Sequence, residues 1–323
     1  MFTNAFEGLF FWSKFFFCLS YTSYACLPVG RKAAKKEFAP ENAHVSIFVW
    51  LSGCPLSMVE NIFQYGFIVR GFEAGMVVAC VAPLIGMFLV LRRYSLIADT
   101  LSHVSLAGIA LGFLFNINPL LTALGATLFA SLGIERLRDS KRVYGESALA
   151  LFLSGSLALA VVLLSLSNGF NANLFNYLFG SIVTVTANDV LIIGTVSTLV
   201  IIALFAFFKP LLFVTFDEEA ARVSGMPTRR LNLMLILLTA LTVSVSIPIV
   251  GILLIAALMV IPVVAALQWK QSFIKTIIIA ECISIVSVLS GIVASFYLNL
   301  ATGGTIVLIM LLAFVASLLM NRR

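Results

Sequence analysis

The sequence predicts an all-α fold: a polytopic membrane helical bundle of about eight to nine spans. Three observations carry this. Hydrophobic residues make up 61% of the 323-residue chain and charged residues only 11%, with a mean hydropathy of +1.12; a soluble domain carries about 25% charged residues. Apolar stretches long enough to cross a bilayer recur along most of the chain. The connectors between them alternate between basic and uncharged. The net charge of +6 is gathered in those connectors, as the positive-inside rule requires. A lipid bilayer is therefore the expected surrounding, and no nucleic-acid partner is expected.

Residues 1–57 stand apart. They hold the run FFWSKFFF, a basic patch at Arg31, Lys32, Lys35 and Lys36, and three of the five cysteines. Lys14 interrupts the early apolar run, which also lacks a clean cleavage site, so it is a poor signal peptide. We set 1–57 aside as an N-terminal extension that is not integral to the design, with Met58 as a natural start and 58–323 as the transmembrane domain. The cysteines (Cys18, Cys26, Cys54, Cys80 and Cys282) form no C-x-x-C, and neither a disulfide framework nor a thiolate metal site is expected.

From Met58 on, spans are expected at 71–91, 95–115, 119–134, 146–167, 187–208, 231–247, 250–268, 274–297 and 304–320. The third is short. Of the Lys and Arg residues after Met58, all but Arg70 fall at Arg92–Arg93, in 135–142, in 209–230, in 270–275 or at Arg322–Arg323. Those connectors and the C-terminus are placed in the cytoplasm. Nine crossings then put Met58 outside. The stretch 171–187, NANLFNYLFGSIVTVTA, is either a re-entrant or interfacial helix on the outer side or the first turn of the next span. Gly108, Gly112, Gly251 and Gly291 permit close helix packing, a structural role.

The chemistry concentrates in 92–112, RRYSLIADTLSHVSLAGIALG. Asp99 and His103 lie four apart in an apolar helix pattern, so they share a helix face. A carboxylate oxygen and an imidazole nitrogen on one face are ligands for a divalent transition metal. The plainer alternatives are a pair that satisfies itself, or a pair at the membrane surface beside Arg92 and Arg93. Ionisable residues at membrane depth are costly, and function is the default hypothesis for them. Glu281 in mid-span is the second intramembrane candidate by the same rule. Asp189 and Glu73 lie near span ends, where a surface placement is expected.

The connector 209–230, KPLLFVTFDEEAARVSGMPTRR, carries its own start and stop signals. Pro210 should break the preceding helix. Asp217 should cap a new one, with Glu218 and Glu219 in its first turn. Gly225 and Pro227 should end it. A short cytoplasmic helix shaped for docking, with Ala220 and Ala221 small enough to enter a partner's groove, stands against an ordinary solvated loop. There is no H-E-x-x-H, no G-x-S-x-G and no P-loop, so an enzyme is not expected and any ATP hydrolysis belongs to a separate subunit.

Several runs resemble one family. PLIGMFLVLRRYSLIADTLSHVSLAGIALG (83–112) looks like the second-helix signature of the permease subunits of zinc/manganese ABC importers. FDEEAARVSGMP (216–227) is similar to the family's cytoplasmic coupling segment, and VGILLIAALMVIPVVAA (250–266) and GGTIVLI (303–309) follow its patterns. The resemblance covers the chain from about Met58 onward and implies an ABC importer permease fold. It also implies a homodimeric or paired permease, a cytoplasmic ATPase subunit and an extracytoplasmic metal-binding protein. Asp99 and His103 match the D-x-x-x-H pair associated with the metal path, and Asp217, Glu218, Ala220, Ala221 and Gly225 fall in the ATPase-coupling segment. Nothing is expected to be bound permanently; the metal is cargo, with zinc favoured over manganese or iron. Asn299 and Ala301 depart from the family, which often carries Asp and Pro there. The reading from another class is a secondary cation transporter using Asp99, His103 and Glu281 as a relay.

Overall fold

The computed structural model describes residues 66–139, 144–166 and 172–320, so the expectation for 1–57 lies outside the described residues. The described residues are helical with no strand. In chain order the helices are α1 (Gly66–Leu91), α2 (Ser95–Phe115), α3 (Pro119–Asp139), α4 (Gly145–Leu166), α5 (Ala172–Phe179), α6 (Ala187–Ala206), α7 (Phe208–Phe216), α8 (Glu218–Val223), α9 (Thr228–Val250), α10 (Ile255–Leu267), α11 (Phe273–Leu298) and α12 (Thr302–Met320). Among the described residues, α1, α2, α3, α4, α6, α9, α11 and α12 are long and apolar enough to cross a membrane.

The span expected at 250–268 is shorter. Helix α9 runs through Val250 with Pro248 in its last turn, so it takes up residues 246–249, where the sequence placed a connector. What remains is a 3-10 turn, Ile252–Leu254, and the 13 residues of α10. That helical length is about 20 Å, against a hydrocarbon thickness of about 30 Å. The break between α9 and α10 is Gly251, at φ 83°. A Cβ there would lie 2.4 Å from the Gly180 nitrogen and 2.5 Å from the Leu178 carbonyl oxygen. Backbone therefore packs directly on backbone, and the Ser181 N–H donates to the Pro248 carbonyl at 3.2 Å. Irregular backbone at membrane depth is tolerated where protein covers it in this way.

Two other expectations are corrected, and one open alternative is decided. Helix α3 is not short: it continues to Asp139 and carries Arg136 and Arg138 in its last turn, where cations suit the C-terminal dipole. Helix α6 ends at Ala206 rather than at Pro210, because Pro210 sits in the first turn of a separate helix, α7, where its missing N–H is not needed. Residues 172–179 form their own helix, not the first turn of α6, which starts after Thr186.

Helices α1, α2 and α9 form the centre, with α2 against α3, α4, α9 and α10. They are apolar nearly all round, as a surrounded helix must be. Helices α4 and α6 are peripheral, and leucines such as Leu151, Leu159, Leu191 and Leu199 point outward from them, as lipid-facing residues do. Small residues allow close approach where it matters: a Cβ on Gly108 of α2 would lie 2.7 Å from the Ala123 Cα and 2.8 Å from the Ala126 Cβ of α3. Thr127 and Ser244 hydrogen-bond across α3 and α9 at 2.7 Å. At the basic-connector end, Phe88 of α1, Phe208 and Phe216 of α7 and Phe273 of α11 form an aromatic cluster with centroid spacings of 5.8 to 6.0 Å between touching rings. Edge-on contacts of this kind add to plain burial, and they fasten α7 to the end of α1.

Candidate functional site

Helix α2 begins one tight corner after α1. Arg93 takes a left-handed conformation, φ 57°, and the Tyr94 N–H donates to the Leu89 carbonyl at 2.8 Å, which closes the end of α1. Helix α2 then runs to Phe115 and ends at Asn116, again left-handed, whose N–H returns to the Gly112 and Phe113 carbonyls. Most of α2 is buried on every side. One stripe in its first half is open: Leu96 is 53% exposed, the Asp99 side chain 40% and the His103 side chain 18%. The spacing of three and four residues is one helix face.

On that stripe the His103 Nε2 lies 3.9 Å from the Asp99 Oδ1. This is too long for a hydrogen bond, so the two side chains do not satisfy each other. The His103 Nδ1 is buried without a hydrogen-bond partner among the described residues. Buried polar atoms are normally paired, so this nitrogen is an exception, on a ring whose other nitrogen faces the Asp99 carboxylate. The neighbouring hydroxyls offer nothing to it: Thr100 and Ser102 donate to the Leu96 and Asp99 carbonyls of their own helix. No third His, Cys, Asp or Glu joins the pair into a metal-holding group among the described residues. One chain thus offers two ligands.

Glu281 lies in α11, which packs against α1, α10 and α12. Both of its carboxylate oxygens are buried without a hydrogen-bond partner among the described residues, but it does not join Asp99 and His103. Asp189 is not on the surface. It is buried and closes a reciprocal cap with Thr186, each bonding the other's backbone N–H. Near it, burial and then the charge of Asp189 push the Tyr177 hydroxyl above its ordinary pKa, which keeps it a donor. At the end away from the basic connectors, a cleft of about 520 Å³ lies between the ends of α1, α5, α11 and α12, with Asn176, Ser181, Ser295 and Asn299 among its lining. Asn299 is left-handed, φ 51°, at the end of α11. Asn tolerates this conformation at a helix end.

The connector helix α8 is present. The Asp217 carboxylate accepts from the Ala220 N–H at 2.8 Å, and Gly225 turns the chain at φ 78°. Its two faces differ in a way the sequence reading missed. Ala221 is fully buried against the chain's own core. Glu218 turns inward to Arg92 at 3.2 Å and accepts from the Asn232 side-chain amide at 3.1 Å. Glu219, Arg222 and Val223 point outward, with Val223 89% exposed. The helical spacing of 219 and 223, one turn apart and opposite 221, was the signal available for this in the sequence.

Comparison with known proteins agrees with this architecture. The model of the ABC 3 transport family matches residues 64–321. A probable metal transport system membrane protein of Treponema pallidum is 37% identical over 75% of this chain and 91% of its own length. The high-affinity zinc uptake system membrane protein ZnuB of Buchnera aphidicola subsp. Schizaphis graminum is 35% identical over 76% of this chain and 94% of its own. The manganese transport system membrane protein MntC of Listeria innocua is 30% identical over 79% and 91%. Among solved structures, PsaBC from Streptococcus pneumoniae in complex with Fab superposes with a TM-score of 0.73 at 28% identity, covering 81% of this chain and 94% of that one. With eight apolar helices of membrane length among its described residues, the chain belongs to the ABC 3 transport family and is a multi-pass membrane permease subunit, not an enzyme.

Proposed function

We propose that this permease carries a divalent transition metal, zinc before manganese or iron, inward across the cell membrane past Asp99 and His103. The observation that carries the reading is the open stripe of α2: an imidazole nitrogen without a hydrogen-bond partner among the described residues, and a carboxylate 3.9 Å from the ring's other nitrogen, on a helix otherwise enclosed by protein. A two-ligand site suits passage, because a translocation site must admit an ion and also let it go. A second copy of the chain, with its own Asp99 and His103, completes the shell if the open stripes face each other. Asp and His accept both zinc and manganese, and relatives carry names for each.

The remaining partners follow from what the chain lacks. With no nucleotide-binding motif, energy must arrive from a cytoplasmic ATPase subunit. The outward face of α8, centred on Val223 and flanked by Ala220 and Gly225, is its dock, while Asp217, Glu218 and Ala221 hold the helix from behind. An extracytoplasmic metal-binding protein delivers the metal to the outer side. Glu281 remains a second intramembrane site, separate from the pair; a relay through all three residues would need it beside them. The test is metal accumulation by cells with the parental chain, Asp99→Ala or His103→Ala, measured for zinc, manganese and iron. Loss in both variants at normal membrane levels supports the reading, and the metal most depleted identifies the cargo.

A further inference from the structure

The corner between α1 and α2 does more than turn the chain. The Arg92 side chain is only 4% exposed. Its Nη1 donates to the Asn232 Oδ1 at 2.7 Å and its Nη2 to the Glu218 Oε2 at 3.2 Å, while the Asn232 amide donates to the other Glu218 oxygen at 3.1 Å. Three side chains from the corner, α8 and α9 thus form a closed triangle. The Arg92 guanidinium also lies 5.2 Å from the centre of the Tyr94 ring, and that ring takes a second guanidinium, Arg138 of α3, at 4.3 Å. Tyr94 is the residue from which α2 starts. Asp99 follows five residues later, about 7.5 Å up the helix.

Helix α8 has six residues, far too few to hold a direction by itself. Its direction comes from what it touches, and the charged contact among those is with Arg92. One turn before Arg92, Phe88 grips α7 through its ring contact with Phe208. The foot of α1 therefore holds both halves of the α7–α8 connector. The Arg92 end of the ion pair is buried, although Glu218 is 34% exposed and also meets Arg222 at 3.5 Å; losing Glu218 would leave the buried guanidinium without its counter-charge, which ties α8 to the corner and to the foot of α2.

We propose that Arg92 is the positioning residue that transmits motion of the ATPase-docking helix α8 to the metal-bearing helix α2. This rests on the docking reading of α8. Arg92 touches neither metal nor ATPase; it converts a shift of Glu218 into a shift of Tyr94, and so of Asp99 and His103. A guanidinium suits this because it binds Glu218 and Asn232 at once from one rigid plane, which an ammonium cannot do.

The test uses the whole importer, permease with its ATPase and binding protein, in proteoliposomes. Variants are Arg92→Gln, Glu218→Gln and the double. The reading is zinc delivered per ATP hydrolysed at matched amounts of assembled complex, which a merely structural brace would not alter. Arg92→Gln is expected to co-purify with the ATPase as the parent does, yet to deliver about tenfold less zinc per ATP, the size of a typical coupling. The double should fall no further than either single, because both act through one contact. Should Arg92→Gln fail to insert, Arg92→Lys and Asn232→Ala serve instead, each with an expected loss of about fivefold or more in the same ratio. A parental ratio in the inserted Arg92 variants, or singles whose losses multiply in the double, overturns the proposal. Val223→Asp in the same preparation separates the two readings. If it loses the ATPase while Arg92→Gln keeps the parental ratio, only the Arg92 proposal fails; if it keeps both ATPase and uptake, the docking reading falls and takes this proposal with it.

Discussion

His103 is the one histidine after Met58, and its position within an enclosed helix is what gives it meaning. A histidine inside a bundle usually donates or accepts; here one ring nitrogen has no partner among the described residues and the other stands 3.9 Å from Asp99. The spacing of four was visible in the sequence, and so was the shared face. The failure of the two side chains to satisfy each other was not, because it depends on rotamers and on which face of α2 its neighbours leave open. The alternative of a self-satisfied pair is the one the 3.9 Å separation disfavours. His103→Ala and Asp99→Ala are each expected to reach the membrane at parental levels and to lower metal uptake on the order of 100-fold, at least what loss of a supporting residue around a metal costs. Cell-surface labelling beside uptake checks both halves of that statement. Ser102→Ala, which only returns a hydroxyl from its own helix carbonyl, should transport as the parent does.

At the scale of the element, α8 shows what local signals can and cannot give. Asp217 as cap and Gly225 as stop were legible because both act within one turn of chain. The partner of Glu218 was not, since Arg92 lies 126 residues away. A first-turn acid looks like a helix-dipole acid in the sequence, and tertiary pairing gave it a second task. The outward face predicts that Val223→Asp abolishes co-purification of the ATPase, and that Ala220→Arg weakens it, with the spans intact; a pull-down at matched permease levels decides. Helix α10 came out shorter than its hydropathy implied, because a run of apolar residues does not reveal that Gly251 must meet Gly180 backbone to backbone. Close approach makes another expectation testable. Gly108→Leu drives a side chain against the α3 backbone at Ala123, and overpacking of that kind costs about 1–3 kcal/mol. Thermal unfolding of the purified chain in detergent should occur at a lower temperature than for the parent.

For the whole molecule, charge asymmetry carried the most. The basic connectors follow α1, α3, α6 and α10, and this alternation holds only if α10 crosses despite its length. The family match begins at residue 64. A chain starting at Met58 is expected to insert and to transport at the parental rate, which uptake at equal expression measures. What the sequence could not reveal is how a single chain leaves Asp99 and His103 on an open stripe, because that depends on which face of α2 the other helices decline to cover. The most direct measurement is ATP-driven zinc uptake into proteoliposomes holding the assembled importer, with parental permease and with His103→Ala at equal assembly and equal ATP hydrolysis. The account predicts that zinc accumulates with the parent and stays at background with the variant. Zinc entry at the parental rate without the His103 imidazole would contradict it.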